Sequence, residues 1–200
     1  MSFYTLVLFA HMLGAFGLFV VVSFQWISII RLRRARTVEQ VREWSSLSGG
    51  TERVEQVSGL LALGAGIYMA TVIEAWRAAW VLVSLVTFLT IATLAAVVNI
   101  RRLKAIQATG READTAAHLI PTELLRQIND PVLWTAVHTT AFMLLGIVFL
   151  MTNKPDLVGA LTTIAVSIVL GVASAQLWRP RGGALAAWRA EQSQEAGSAN

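Results

Sequence analysis

Two histidines stand apart from the other ionisable groups of this 200-residue chain. His11 and His138 each sit well inside a long apolar run, whereas the acids, lysines and arginines fall at the ends of such runs or between them. Ionisable side chains are costly in hydrocarbon, so those that persist there point to chemistry by default. A neutral imidazole in such a setting can ligate a metal, relay a proton or bond two helices together. Side chains three and four positions away share its helix face. For His11 these are Gly14 and Ala15, small enough to leave room for a flat group. For His138 they are Trp134, Thr135, Ala141 and Phe142, with Thr135 or Thr139 the expected partner of the ring nitrogen that a ligand does not take.

Depth bears on which metal group the pair would suit. His11 lies about 12 Å and His138 roughly 10 Å from the start of its own run, at about 1.5 Å per helical residue. The two runs enter from opposite faces, so the rings differ in depth by about 8 Å in a hydrocarbon core of about 30 Å. A single bare ion needs both rings at similar depth, whereas a haem with one imidazole on each face tolerates the offset. The expectation is b-type haem iron held by His11 and His138. The plain alternative is that each ring only bonds a neighbouring helix. The chain has no cysteine, which excludes thiolate metal sites, iron–sulfur clusters and covalently attached haem. His118 falls in a polar stretch and reads as a surface residue. No motif names a reaction, so whether the chain is an enzyme stays open.

The elements that must carry these rings follow from composition. Hydrophobic residues make up 56% of the chain and charged ones 14%, against about 25% charged in soluble domains. Five runs approach or exceed the roughly 20 residues a membrane-crossing helix needs: Phe3–Ile30, Gln56–Ile73, Trp80–Ile100, Val132–Met151 and Leu157–Trp178. Gln56–Ile73 is the least apolar. Fourteen of the 16 Lys and Arg residues cluster in three stretches, at 31–53, 101–126 and 179–189, leaving only Arg77 and Lys154 on the other face. Short cytoplasmic loops retain such charge. The expected fold is therefore all-α, a polytopic bundle of five spans with its N-terminus outside and its C-terminus cytoplasmic. Residues 1–181 form the bundle and 182–200 a cytoplasmic tail, mobile at its end. The first run has no basic residue before it and reads as an uncleaved anchor.

Between the spans, Thr37 with Gln40 has capping-box spacing. Val38, Val41, Trp44 and Leu47 then make an apolar stripe, suited to the head-group layer or to a plain connector. The turns at 74–77 and 152–156 are short enough to make hairpins of spans two and three and of spans four and five. Asp130-Pro131 has the form of a helix start. Gly159, Thr163, Ser167, Gly171 and Ala175 form a small-residue stripe, as do Ser58, Ala62, Gly66 and Ala70. Such stripes let helices approach closely in lipid, either within the bundle or in a dimer seam. A net charge of +4 suits anionic lipid rather than nucleic acid.

The opening "FAHMLGAFGLF" resembles the first helix of small bacterial membrane families, among them the copper-resistance-D-like proteins and the HemJ-type protoporphyrinogen oxidases. "WVLVSLVTFL" and "PVLWTAVHTTAFMLLGIVFLMTNKPDL" are similar to a family of predicted integral membrane proteins known only as a domain of unknown function. The resemblance implies a bacterial inner membrane and permits haem at His11. The HemJ-type pattern also includes a basic residue within a later span; none stands here, which counts against that oxidase activity. The functional expectation is a haem b protein for electron transfer or redox sensing. Its alternative is an accessory or scaffold subunit, as a homodimer or in a larger membrane complex. Transport has less support, since the spans hold neither proline nor acid.

Overall fold

The computed structural model describes residues 2–113 and 120–177, and every regular element among them is helical. Helix α1 is Phe3–Arg34, α2 Val38–Gly50, α3 Glu52–Val72, α4 Ala79–Leu94, α5 Arg101–Glu112, α6 Thr122–Ile128, α7 Pro131–Asn153 and α8 Leu157–Leu177. A 3₁₀ turn at Ala75–Arg77 joins α3 to α4, and a π-helical turn at Ala95–Ile100 joins α4 to α5. His118 and the tail arginines Arg179, Arg181 and Arg189 lie outside the described residues.

Among the described residues, four stretches are long and apolar enough to cross a membrane: Phe3–Arg34, Ala79–Glu112, Thr122–Asn153 and Leu157–Leu177. Helix α3 is as long as α8 but does not count among them, because it opens on Glu52, Arg53 and Glu55. α4, the π turn and α5 form one unbroken rod, where the sequence suggests a span followed by a polar loop. Helix starts follow the expected chemistry. Asp130 accepts the Val132 N–H in front of Pro131, and Thr37 accepts the Gln40 N–H while the Gln40 carboxamide accepts that of Arg36.

Packing makes α7 the centre of the bundle, touching α1, α4 and α8. The small-residue stripes are used inside the chain. Gly171 of α8 meets the backbone of Thr139, where a Cβ would come within 2.6 Å of the Thr139 Cα. Gly14 of α1 meets Ala62 and Ser58 of α3 just as closely. The tight turn between α3 and α4 does not make them a packed pair: α3 lies along α1, while α4 lies on α7 and α8.

One end of the bundle carries a cap of α2, α5 and α6. Its core joins Ile29, Leu32, Val38, Val41, Ile106 and Leu124 to the first turns of α7. The stripe of α2 is thus buried under protein, not laid in the head-group layer; Val41 has no exposure at all. Arg42 fastens the cap by donating to the carbonyls of Gly110, Arg111 and Ala113 at the end of α5. Arg102 and Asp130 pair across the junction of the cap and α7.

Candidate functional site

His138 is fully buried, and both of its ring nitrogens are engaged. Nδ1 lies 2.9 Å from the Trp134 carbonyl, which can only accept, so Nδ1 carries the proton. Nε2 accepts the indole N–H of Trp26 at 2.9 Å. The Trp26 ring stands edge-on to the imidazole at 5.2 Å, and the Trp134 ring lies at 4.2 Å. Trp134 in turn donates its indole N–H to the Ala175 carbonyl of α8, and the Arg33 guanidinium lies over its ring at 4.0 Å. One imidazole therefore ties α1 to α7, and its neighbour ties α7 to α8. Neither Thr135 nor Thr139 is its partner; the Thr139 hydroxyl is buried without a hydrogen bond.

His11 is different. It is half-buried between α1 and α3, and its Nδ1 lies 2.8 Å from the Ala62 carbonyl. That acceptor fixes the proton on Nδ1 and turns Nε2 into a lone pair, which takes no hydrogen bond among the described residues. The ring sits on Gly66, where a Cβ would come within 3.2 Å of Cε1. Gly66 thus makes room for the imidazole, while Gly14, expected to leave room for a ligand, is filled by the backbone of α3.

The structure does not bring the two rings together. His138 is bonded to Trp26, 15 residues along α1 from His11, which is about 22 Å of helix. A metal–nitrogen bond is about 2 Å long, so two imidazoles on one iron put their nitrogens only about 4 Å apart. Besides this separation, the Nε2 lone pair of His138 is already used. A haem held by both His11 and His138 does not fit these residues. Among the described residues, no three His, Asp or Glu side chains converge on a metal-sized site.

Sequence reasoning missed Trp26, whose indole closes the His138 site from another helix 112 positions away. Its only sequence signal is position: a tryptophan on a helix face just before a run of arginines. Asn99, near the end of the third apolar run, is a second residue whose setting only the structure shows. It is fully buried in the π turn, and neither end of its carboxamide has a partner among the described residues.

A helical bundle with α7 at its centre, membrane-length apolar rods and a charged cap at one end defines an integral membrane protein. The chain belongs to the family of predicted integral membrane proteins designated DUF2269, whose model matches residues 5–155. That match covers α1 through α7 and both histidines. No curated protein and no solved structure matches the chain.

Proposed function

We propose that this protein binds a b-type haem through His11 alone, with His138 serving as a structural tie. The observation that carries the reading is the state of the His11 ring. Its Nδ1 proton is committed to the Ala62 carbonyl and its Nε2 lone pair takes no hydrogen bond among the described residues. A second group that fixes the tautomer and ring plane is how proteins prepare an imidazole to ligate a metal. Haem held there would supply one-electron chemistry, suited to electron transfer or redox sensing. His11 would hold the iron, Ala62 the ring plane, and Gly66 the space the ring occupies. His138 has its tautomer fixed in the same way by the Trp134 carbonyl, but its second nitrogen already accepts from Trp26.

The topology that suits this reading has five spans. α3 runs beside α1 from the Glu55–Gln25 hydrogen bond to the Tyr68–Phe3 ring contact. Those contacts lie 13 residues apart on α3, or about 20 Å, and α3 as a whole, with 21 residues, is about 31 Å long, close to the hydrocarbon thickness of about 30 Å. A helix of that length lying beside α1 suits a fifth crossing. The arginine-rich cap then faces the cytoplasm of a bacterial inner membrane, with the N-terminus outside.

The test is the absorption spectrum of protein purified from haem-sufficient cells. A Soret band in the wild type, its loss in His11→Ala and its retention in His138→Ala are expected. A colourless wild type, or loss of the band only in His138→Ala, overturns the assignment. A second reading, an accessory subunit of a larger membrane complex, is favoured by one observation. In the first half of α1, Phe3, Phe9, Met12 and Phe16 are exposed. Native mass spectrometry after gentle extraction would reveal such a partner.

A further inference from the structure

We infer that the group His11 ligates sits in a cleft between α1 and α7 and enters it sideways from the lipid; this rests on the haem reading above. On α1, His11, Ala15, Val22 and Trp26 follow at intervals of four, seven and four, so they lie in one strip along the helix. On α7, His138, Leu145 and Phe149 do the same. The two strips meet at the Trp26–His138 hydrogen bond, and His138 is 0% exposed there. Two turns further from the cap the α7 strip is open: Leu145 is 53% and Phe149 50% exposed. Helix α1 has therefore parted from α7 by that level. α3 makes no substantial contact with α4, α7 or α8; one place where it faces α4 is Gly59 opposite the Phe88 ring, at 3.8 Å from a built Cβ.

The cleft so formed has the Trp26–His138 pair as its floor and Phe88 against Gly59 as its back. The His11 strip and the Leu145–Phe149 strip are its walls. His11 lies about 22 Å from Trp26 along α1, and Phe149 about 16 Å from His138 along α7, so both stand towards the open end. The walls are apolar and the mouth faces hydrocarbon, which suits a planar, largely apolar tetrapyrrole better than a solvated ligand. The imidazole lone pair supplies the one specific contact. Ordinary lipid is the competing occupant, and it has no use for a fixed Nε2.

The test uses hemin as the probe, titrated into haem-free protein in nanodiscs. Ala15→Trp and Leu145→Trp each fill the cleft from one wall, while Leu161→Trp adds the same bulk to an exposed site on α8. Haem retention is expected to fall at least tenfold in the first two and to stay unchanged in the third. If Ala15→Trp and Leu145→Trp bind as the wild type does while His11→Ala does not, the haem reading stands and the cleft is overturned. If the wild type binds no hemin, both fall. Should the tryptophan variants fold poorly, a spin label on Leu145→Cys decides the matter, because the chain has no cysteine of its own. Ferric haem in the cleft broadens its signal but not that of a label on Leu161→Cys. Equal signals at both positions overturn the placement.

Discussion

Removing the Trp26 indole would strand the Nε2 lone pair of His138 in a site sealed from water. An unmet buried acceptor costs about 1–3 kcal/mol, so Trp26→Phe should lower the thermal midpoint in detergent without changing haem content. A loss of haem with unchanged stability would contradict the structural role given to His138. Asn99 presents the opposite case. Its carboxamide is buried with neither end paired among the described residues, and an apolar residue of similar volume removes that burden. Asn99→Leu should leave the midpoint unchanged or raise it; a clear fall would mean that the amide holds a bound water within the π turn.

The residue scale also shows where the sequence is informative. That His11 and His138 are the two deep imidazoles is visible in hydropathy alone. That they differ in kind is not, because the difference lies in partners supplied by other helices. The Ala62 carbonyl belongs to α3 and the Trp26 indole to α1, and no spacing rule within α1 or α7 contains them. The expected partners, Thr135 and Thr139, are near in sequence, which is why local reasoning favours them.

Among elements, close approach rather than apolarity sets the pairing. Lipid gives helices no hydrophobic reason to associate, so backbone contact at small residues takes over. Gly171 and Gly14 face backbone atoms that cannot move aside as a flexible side chain would. Gly171→Val and Gly14→Val should therefore each destabilise by about 1–3 kcal/mol, the usual range for overpacking. Gly64 is the contrast, since a Cβ there meets nothing within 4 Å. Gly64→Ala should be neutral or stabilising by up to about 1 kcal/mol through helix propensity. Denaturant titration of the three variants in one detergent compares them directly; equal costs would refute packing as the cause. The small-residue stripes were legible because a period of four is a property of one helix. The partner swap of α3 and α4 was not: a short turn fixes connection, and only the distribution of small residues on α1 and α7 decides which helix each packs against.

At the scale of the molecule, the open question is whether α3 crosses the membrane, since its polar first turn lowers its apolarity below that of the four clear spans. The five-span reading proposed above rests on α1. An apolar rod of 32 residues is about 48 Å long, longer than the hydrocarbon is thick, and α3, 21 residues or about 31 Å long, lies beside it with contacts from Glu55 to Tyr68, about 20 Å apart. If α1 spans, a helix hydrogen-bonded to Gln25 through Glu55 and edge-on to Phe3 through Tyr68 is expected to cross beside it. Gly50 and Arg77, which flank α3, must then lie on opposite sides, with the cap on the cytoplasmic side if its arginines obey the retention of positive charge. In the cysteine-free chain, Arg77→Cys should react with a membrane-impermeant maleimide on intact cells, and Gly50→Cys only after permeabilisation. Labelling of both on intact cells, or of neither, would mean that α3 returns to the side it started from, and the reversed pattern would invert the bundle. The first outcome would also remove the reason for placing His11 at the far end of the hydrocarbon, because α3 supplies both the Ala62 carbonyl and the Gly66 seat that hold its ring.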